Sequence, residues 1–357
     1  YRMNKKILVP LLVIGMTTVR AFAMNPVTIV DQGSFMAGGK VITAPGSYID
    51  NEPVNFDGET LHGDAAYVFY QIPKEAKHNG IVFLHGYGQS GKSWESTPDG
   101  RDGFQNIFLE KGWKTYIVDE PRRGRGGNST VPANLKAQPQ DQLWFNNFRM
   151  GQNNTLYNNV TFPKGEEALE QFYKQMVPDT GAFDMNVVTD SMDALFNKIG
   201  DGILVTHSAG GGPGWSTAIR NSHVKGVIAL EPGTFPFPEN EVPETEATTS
   251  PFPAVPMIVS DEDFAKITKI PIAVYFGDNI PTGSTPVENW GQDNWRVRLN
   301  LAIKWAEVVN AHGGDVTIIS LPDAGIKGNT HFMMADTNNR EVAAHMEKWM
   351  KEKGLAK

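Results

Sequence analysis

The sequence contains no cysteine. Disulfides, a thiolate nucleophile and Cys-ligated metals are thereby excluded, and stability has to come from packing. No His-Glu-x-x-His run and no EF-hand loop is present, so there is no pattern for a resident metal, and no cofactor is expected. Positive charge is in deficit: 32 Lys and Arg against 40 Asp and Glu leave a net charge of −8. Such a surface repels nucleic acid and anionic lipid, which removes both as partners. Internal repeats and low-complexity tracts are also missing, since the 36 glycines and 23 prolines are spread along the chain. What remains is a loop-rich globular chain whose 357 residues, 40% of them apolar, can bury one large core.

Residues 3–23 stand apart from the rest. Asn4, Lys5 and Lys6 precede the apolar stretch Ile7 to Met16, and Ala21-Phe22-Ala23 follows. This is the charged, apolar and small-residue order of a secretory signal peptide. The stretch is shorter than the roughly 20 residues of a membrane span. Residues 1–23 are therefore expected to be removed on export to the periplasm or the medium. One domain over 24–357 would remain, with no stable membrane insertion. Removal takes away Arg2, Lys5, Lys6 and Arg20 and no acid, moving the net charge from −8 to −12.

Lys40–Thr43 and Ala65–Ile72 read as strands, the second rich in aromatic and β-branched residues and stopped by Pro73. They would form an antiparallel sheet edge. Short apolar runs recur at Ile81–Leu84, Thr115–Val118, Ile203–Thr206, Gly226–Leu230, Ile272–Phe276 and Val316–Ser320. Continuous runs of this length suit parallel strands covered on both faces. Helical patterns fall between them, near 103–111, 187–198, 214–221, 295–311 and 340–351. The alternation predicts an α/β fold: a mostly parallel eight-stranded sheet flanked by helices. Residues 128–184, rich in Asn, Gln and aromatics and including Trp144, break the alternation. They predict a cap insertion over the sheet's carboxyl edge, where such sheets bind ligands.

The run Ile203–Thr206 passes through His207-Ser208-Ala209-Gly210-Gly211 directly into a helical pattern. A serine on a sharp strand-to-helix turn is the nucleophile elbow G-x-S-x-G, whose small neighbours relieve a crowded turn. Thr206 replaces the first glycine, while the Ser-x-Gly half is kept. Ser208 is the candidate nucleophile, and the helix N-terminus would favour an oxyanion at the backbone N–H of Ala209.

A second glycine-rich loop, His85-Gly86-Tyr87-Gly88-Gln89-Ser90-Gly91-Lys92-Ser93, follows Ile81–Leu84. It satisfies the phosphate-loop pattern G-x-x-x-x-G-K-S, and Tyr116–Glu120 imitates the acidic strand of an ATPase. A nucleotide-binding protein is therefore a competing reading. Export, the antiparallel strands upstream and the idle Ser208 and His331 motifs oppose it. The other use of the same glycines is to bring the N–H of Tyr87 opposite Ser208 as a second oxyanion donor. His85, Gly86, Gly88, His207 and Trp144 are the candidate pocket residues.

A serine is a poor nucleophile without a base. Among eight histidines, His331 lies in the loop Gly328-Asn329-Thr330-His331, after the last strand and before the terminal helix. That is the order and loop context such a base needs. The third member is a carboxylate between Ser208 and His331 that holds the imidazole tautomer. Glu231 and Asp278 each follow a strand. An ionised group ending an apolar strand is costly unless paired, which favours Glu231 and leaves Asp278 as the alternative.

With these residues in view, the chain resembles the α/β-hydrolase superfamily and, within it, a group of secreted bacterial and fungal serine esterases. The resemblance rests on His62-Gly63-Asp64, His85–Gly88, Trp94–Arg101, Asp119–Gly126, His207–Gly211, Glu231-Pro232 and Gly328–His331. It spans nearly all of the chain beyond residue 23. It implies a Ser-His-Glu triad, with the glutamate after the sixth strand, that cleaves small carboxylic esters or lactones through an acyl-enzyme. A catalytically inactive binding protein on the same scaffold is the remaining alternative.

Overall fold

The computed structural model describes residues 25–357, so the segment read as a signal lies outside the described residues. Eight strands form one sheet: β1 (Ile29–Thr43), β2 (Thr60–Pro73), β3 (Gly80–Leu84), β4 (Lys114–Asp119), β5 (Gly202–His207), β6 (Val224–Leu230), β7 (Pro271–Phe276) and β8 (Asp315–Ser320). Their order is β1-β2-β4-β3-β5-β6-β7-β8. β1 and β2 are antiparallel, as are β2 and β4, and every later pair is parallel. The helices are α1 (Phe104–Glu110), α2 (Asp141–Asn147), α3 (Glu166–Lys174), α4 (Met185–Ile199), α5 (Gly211–Arg220), α6 (Asp261–Ile267), α7 (Trp290–Ala311) and α8 (Asn339–Glu352). None of the described helices is long and apolar enough to cross a membrane.

Successive side chains of a strand point to opposite faces, and here both faces are covered. Val82, Leu84, Leu204, Val227 and Ala229 pack with Leu195, Trp215 and Trp305 of α4, α5 and α7. Ile81, Phe83, Ile203, Val205 and Ile228 pack with Phe104, Phe108 and Met346 of α1 and α8. Double coverage is why β3 and β5 are buried at every position and read as unbroken apolar runs. Each large apolar side chain so buried contributes about 1.5–3 kcal/mol, and in a chain without disulfides this packing carries the fold.

β1 begins at Ile29, well before the expected Lys40. It is the outer strand and is exposed at most positions, so its register with β2 defines it and no apolar alternation announces it. Residues 128–184 hold α2, α3 and a small antiparallel pair, Gly151–Gln152 with Thr155–Leu156, after an irregular stretch through residue 140. Between β6 and β7, a parallel pair of three-residue strands (Pro236–Pro238, Met257–Val259) and α6 complete the chain. These elements are too short to show a period.

α5 lies hard against β5. A Cβ on Gly214 would stand 2.6 Å from Cγ2 of Thr206, the residue that occupies the elbow's usual first-glycine position. The small residue that this crossing needs has moved from the strand to the helix. Because Thr206 is β-branched and stiff, Gly214→Ala should lower stability by about 1–3 kcal/mol. Adding Thr206→Ala should recover most of that loss in thermal unfolding. A Gly214→Ala protein as stable as the wild type would disprove the exchange.

Candidate active site

Parallel pairing brings the carboxyl ends of four strands together. Leu84 pairs with Thr206, His207 with Leu230, and Leu230 with Tyr275. The residues that follow these ends, Gly86, Ser208, Glu231 and Gly277, therefore emerge along one edge.

His207 keeps extended geometry, with φ −128°, and Ser208 turns to φ +52° before a short 3-10 turn enters α5. A positive φ is rare for a residue with a side chain and persists only where packing enforces it. Packing does so here. A Cβ on Gly86 would lie 2.9 Å from Ser208 Cβ, and one on Gly210 would lie 2.4 Å from the His85 carbonyl oxygen. The two loops touch through glycines. Ser208 is half-buried, and Tyr87 and Ala209 are exposed. The Tyr87 ring packs between the Arg123 guanidinium, 4.9 Å away, and Trp144, 5.6 Å away.

Glu231, at φ +43°, is fully buried and accepts four hydrogen bonds. Arg149 Nη1 donates to Oε1 at 2.7 Å and Nη2 to Oε2 at 2.6 Å. The Gly277 N–H donates to Oε2 at 2.7 Å, and His331 Nδ1 to Oε1 at 2.7 Å. A carboxylate can only accept, so the Nδ1 proton is fixed. Burial pushes the Glu231 carboxyl up, but the Arg149 charge and the bonds from His331 and Arg149 prevail and hold it down at about 2.

His331 is also fully buried, stacked on Phe148 at 5.1 Å and packed against Trp295 at 4.2 Å. Burial lowers its basicity; the Glu231 bond and charge oppose this, while Arg149 and Arg298 add to it. Its Nε2 has no partner, and no hydrogen bond joins it to Ser208. The loop around it is pinned from several sides. Thr330 N and Oγ1 and Asn329 Nδ2 donate to the Asp336 carboxylate at 2.7, 2.9 and 3.1 Å. His207 Nε2 donates to the His331 carbonyl at 2.8 Å.

A solved bacterial esterase, described as novel and determined at atomic resolution, is 30% identical with a TM-score of 0.73. The match covers 92% of this chain and 98% of that one. The chain belongs to the α/β-hydrolase superfamily. It is an enzyme of the carboxylesterase and lipase kind. The probable secreted lipase phiG of Fungal sp. (strain ATCC 74256) is 28% identical over 315 residues, covering 76% of this chain and 81% of that one. No protein-family model matches.

In this hydrolase the imidazole of His331 is bonded to Glu231 and not to Asp278. The Asp278 carboxylate instead accepts from Gly328 N at 2.8 Å and Asn279 N at 2.7 Å, bracing the histidine loop. Trp144, Gly88 and Tyr87 line a cleft of about 680 Å³ with Leu135, Arg123 and Val177. Ser208 and His331 do not line it; the cleft starts at Tyr87. His85 and His207 are fully buried and back the site, His85 Nε2 accepting from the Glu120 N–H at 3.1 Å. The nucleotide reading fails on geometry: the Gly91 N–H is taken by Asp119 Oδ1 at 2.7 Å, and Lys92 Nζ is bonded to the Ser96 carbonyl at 2.6 Å. Among the described residues, no group of three His, Asp or Glu side chains is arranged to hold a metal ion.

Sequence reasoning missed Arg149 and Asp336. Arg149 finds its partner 82 positions away, and Asp336, though only six and seven residues from its partners Thr330 and Asn329, belongs to no motif.

The depressed Glu231 pKa is a stability statement. Its folded value of about 2 lies below the ordinary glutamate value, so its stabilisation is complete above roughly pH 4.5 and is lost as pH falls toward 2. Glu231→Gln also strands the Arg149 charge, and should cost on the order of 3 kcal/mol at pH 7. The deficit should shrink when denaturant unfolding is repeated at pH 3. An equal deficit at both pH values would contradict the linkage.

Proposed function

We propose that this hydrolase cleaves carboxylic esters of small molecules, or lactones, by acyl transfer through Ser208. The observation that carries the reading is a strained serine, at φ +52°, on the same sheet edge as a buried histidine bonded to a glutamate at 2.7 Å. With its Nδ1–H donating a hydrogen bond to Glu231, the imidazole has Nε2 left to receive the Ser208 proton. Bonds of this kind often close only when substrate is seated. Ser208 Oγ attacks the carbonyl carbon, and the electron pair moves onto the carbonyl oxygen beside the N–H groups of Tyr87 and Ala209. His331 then passes its proton to the departing alcohol, leaving the acyl-enzyme. Water, deprotonated by His331, attacks the acyl carbon, and Ser208 regains the proton as the acid leaves. Glu231 orients the imidazole and stabilises its charged form.

Residues 128–184 serve as a cap in this reading, since Trp144 walls the cleft beside Tyr87. Tyr87, Trp144, Leu135 and Val177 offer this cleft an apolar side, while Arg123, Lys136, Gln138 and Asp179 line it with polar groups, so a substrate with both apolar and polar parts fits it. Export is supported by the order of residues 3–23 and by the relative described as a secreted lipase.

Fluorophosphonate labelling followed by intact mass should add one adduct to the wild type and none to Ser208→Ala. On a panel of nitrophenyl esters and lactones, Glu231→Gln should lower kcat by roughly 10²–10⁴-fold. Asp278→Asn should retain kcat within about tenfold, as expected of a loop brace. A labelled or active Ser208→Ala protein would remove the proposal, and a larger loss for Asp278→Asn would reassign the acid.

A further inference from the structure

We propose that Arg149 is a positioning residue for ester hydrolysis: its two-point contact fixes the orientation of Glu231, and its charge keeps the His331–Glu231 pair from gripping a proton too tightly. This rests on the reading of His331 as the base and extends it to a residue outside the triad.

Geometry supports the first half. The planar guanidinium fork meets both carboxylate oxygens, and Nε donates to the Asp278 carbonyl at 2.8 Å. Arg149 thereby spans the ends of β6 and β7 and leaves the carboxylate one orientation, with Oε1 toward His331 Nδ1. Arg149 and Glu231 both have no solvent exposure. A point charge such as lysine could not hold both oxygens in this plane.

Charge supports the second half. A proton taken by His331 forms an imidazolium next to a buried carboxylate. Left alone, that pair would attract strongly in a dry site and release the proton poorly to the leaving alcohol. Arg149 neutralises Glu231 before the reaction begins, so protonating His331 makes the group of three side chains positive instead of neutral. The other charged or titratable groups around it are Arg298 on α7, His207 at the end of β5, Asp336 beyond the histidine loop and Asp278 after β7. Among the described residues, Arg149 and His331 are the side chains that bond the Glu231 carboxylate.

A purely structural Arg149 would tie residues 128–184 to the sheet and would leave the titration of the base alone. The deciding measurement is the pH profile of kcat/KM on a nitrophenyl ester. Removing the cation makes the base hold its proton to higher pH, so Arg149→Met should move the acid limb up by about one pH unit. Arg149→Lys, which keeps the charge, should stay within about 0.3 units while losing kcat through poorer orientation. A folded Arg149→Met protein with a wild-type acid limb would overturn the proposal. If Arg149→Met alone does not fold, Glu231→Gln with Arg149→Met removes both buried charges. His331 can then be titrated by NMR in that protein and in Glu231→Gln alone, where an upward shift on losing Arg149 is expected and no shift overturns the proposal. Fluorophosphonate labelling of the wild type separates the two levels: an unlabelled Ser208 sinks the hydrolytic reading itself, whereas a labelled one with unmoved limbs sinks only the role of Arg149.

Discussion

A carboxylate with no exposure to solvent survives in a fold only if its charge is answered on the spot, and the carboxyl edge of this sheet is arranged around answering that of Glu231. The donors come from three separate segments: Arg149 after α2, the Gly277 amide at the end of β7, and His331 in the loop after β8. One buried charge therefore sets where those segments stop. It also explains Gly277, because a Cβ there would lie 3.0 Å from Glu231 Oε2 and 2.7 Å from the Asn329 carbonyl oxygen. Since β6 is the neighbour of the strand that carries Ser208, an acid at its end reaches the histidine without crossing the sheet.

Three of the positive-φ residues meet at the same place. Ser208, Glu231 and Arg149 all have positive φ, at +52°, +43° and +56°. Conformations of this kind cost on the order of 1–3 kcal/mol each and persist where the surroundings over-determine them. Here the surroundings are the glycine contacts at 86 and 210 and the four-donor cage of Glu231. Both rest on a doubly covered sheet that has no disulfide to help it.

The parallel strands were legible because burial on both faces leaves an unbroken apolar signature, and the position of Ser208 followed from a strand running into a helix through small residues. His331 and Glu231, which the fold bonds to each other, were legible as polar residues in loops that follow strands. β1 was only half legible, since an outer strand that faces water needs no alternation. The loop from Gly86 to Ser93 matched a phosphate-binding pattern equally well, and what separates the readings is a contact no pattern contains: the Asp119 carboxylate already holds the Gly91 amide. A histidine beside a glycine loop reads the same in sequence whether it faces the cleft or, as His85 and His207 do, the core. Arg149 had no signal at all. Its meaning is carried by a pairing with a residue 82 positions away.

That long-range residue joins the cleft wall to the His331–Glu231 pair. Trp144 walls the cleft beside Tyr87, stacks on Phe148 at 5.3 Å, and Phe148 stacks on His331 at 5.1 Å. Trp144 and Phe148 are four positions apart, so they share one side of the chain where α2 ends, and Phe145 is buried in the core beside them. Arg149 is the next residue after Phe148. The segment that shapes the cleft wall thus also packs His331 and neutralises Glu231. Substitutions can be absorbed at Trp144, which borders open space. At Phe148 and Arg149 the same freedom is absent, because the first is stacked on His331 and the second is buried against Glu231.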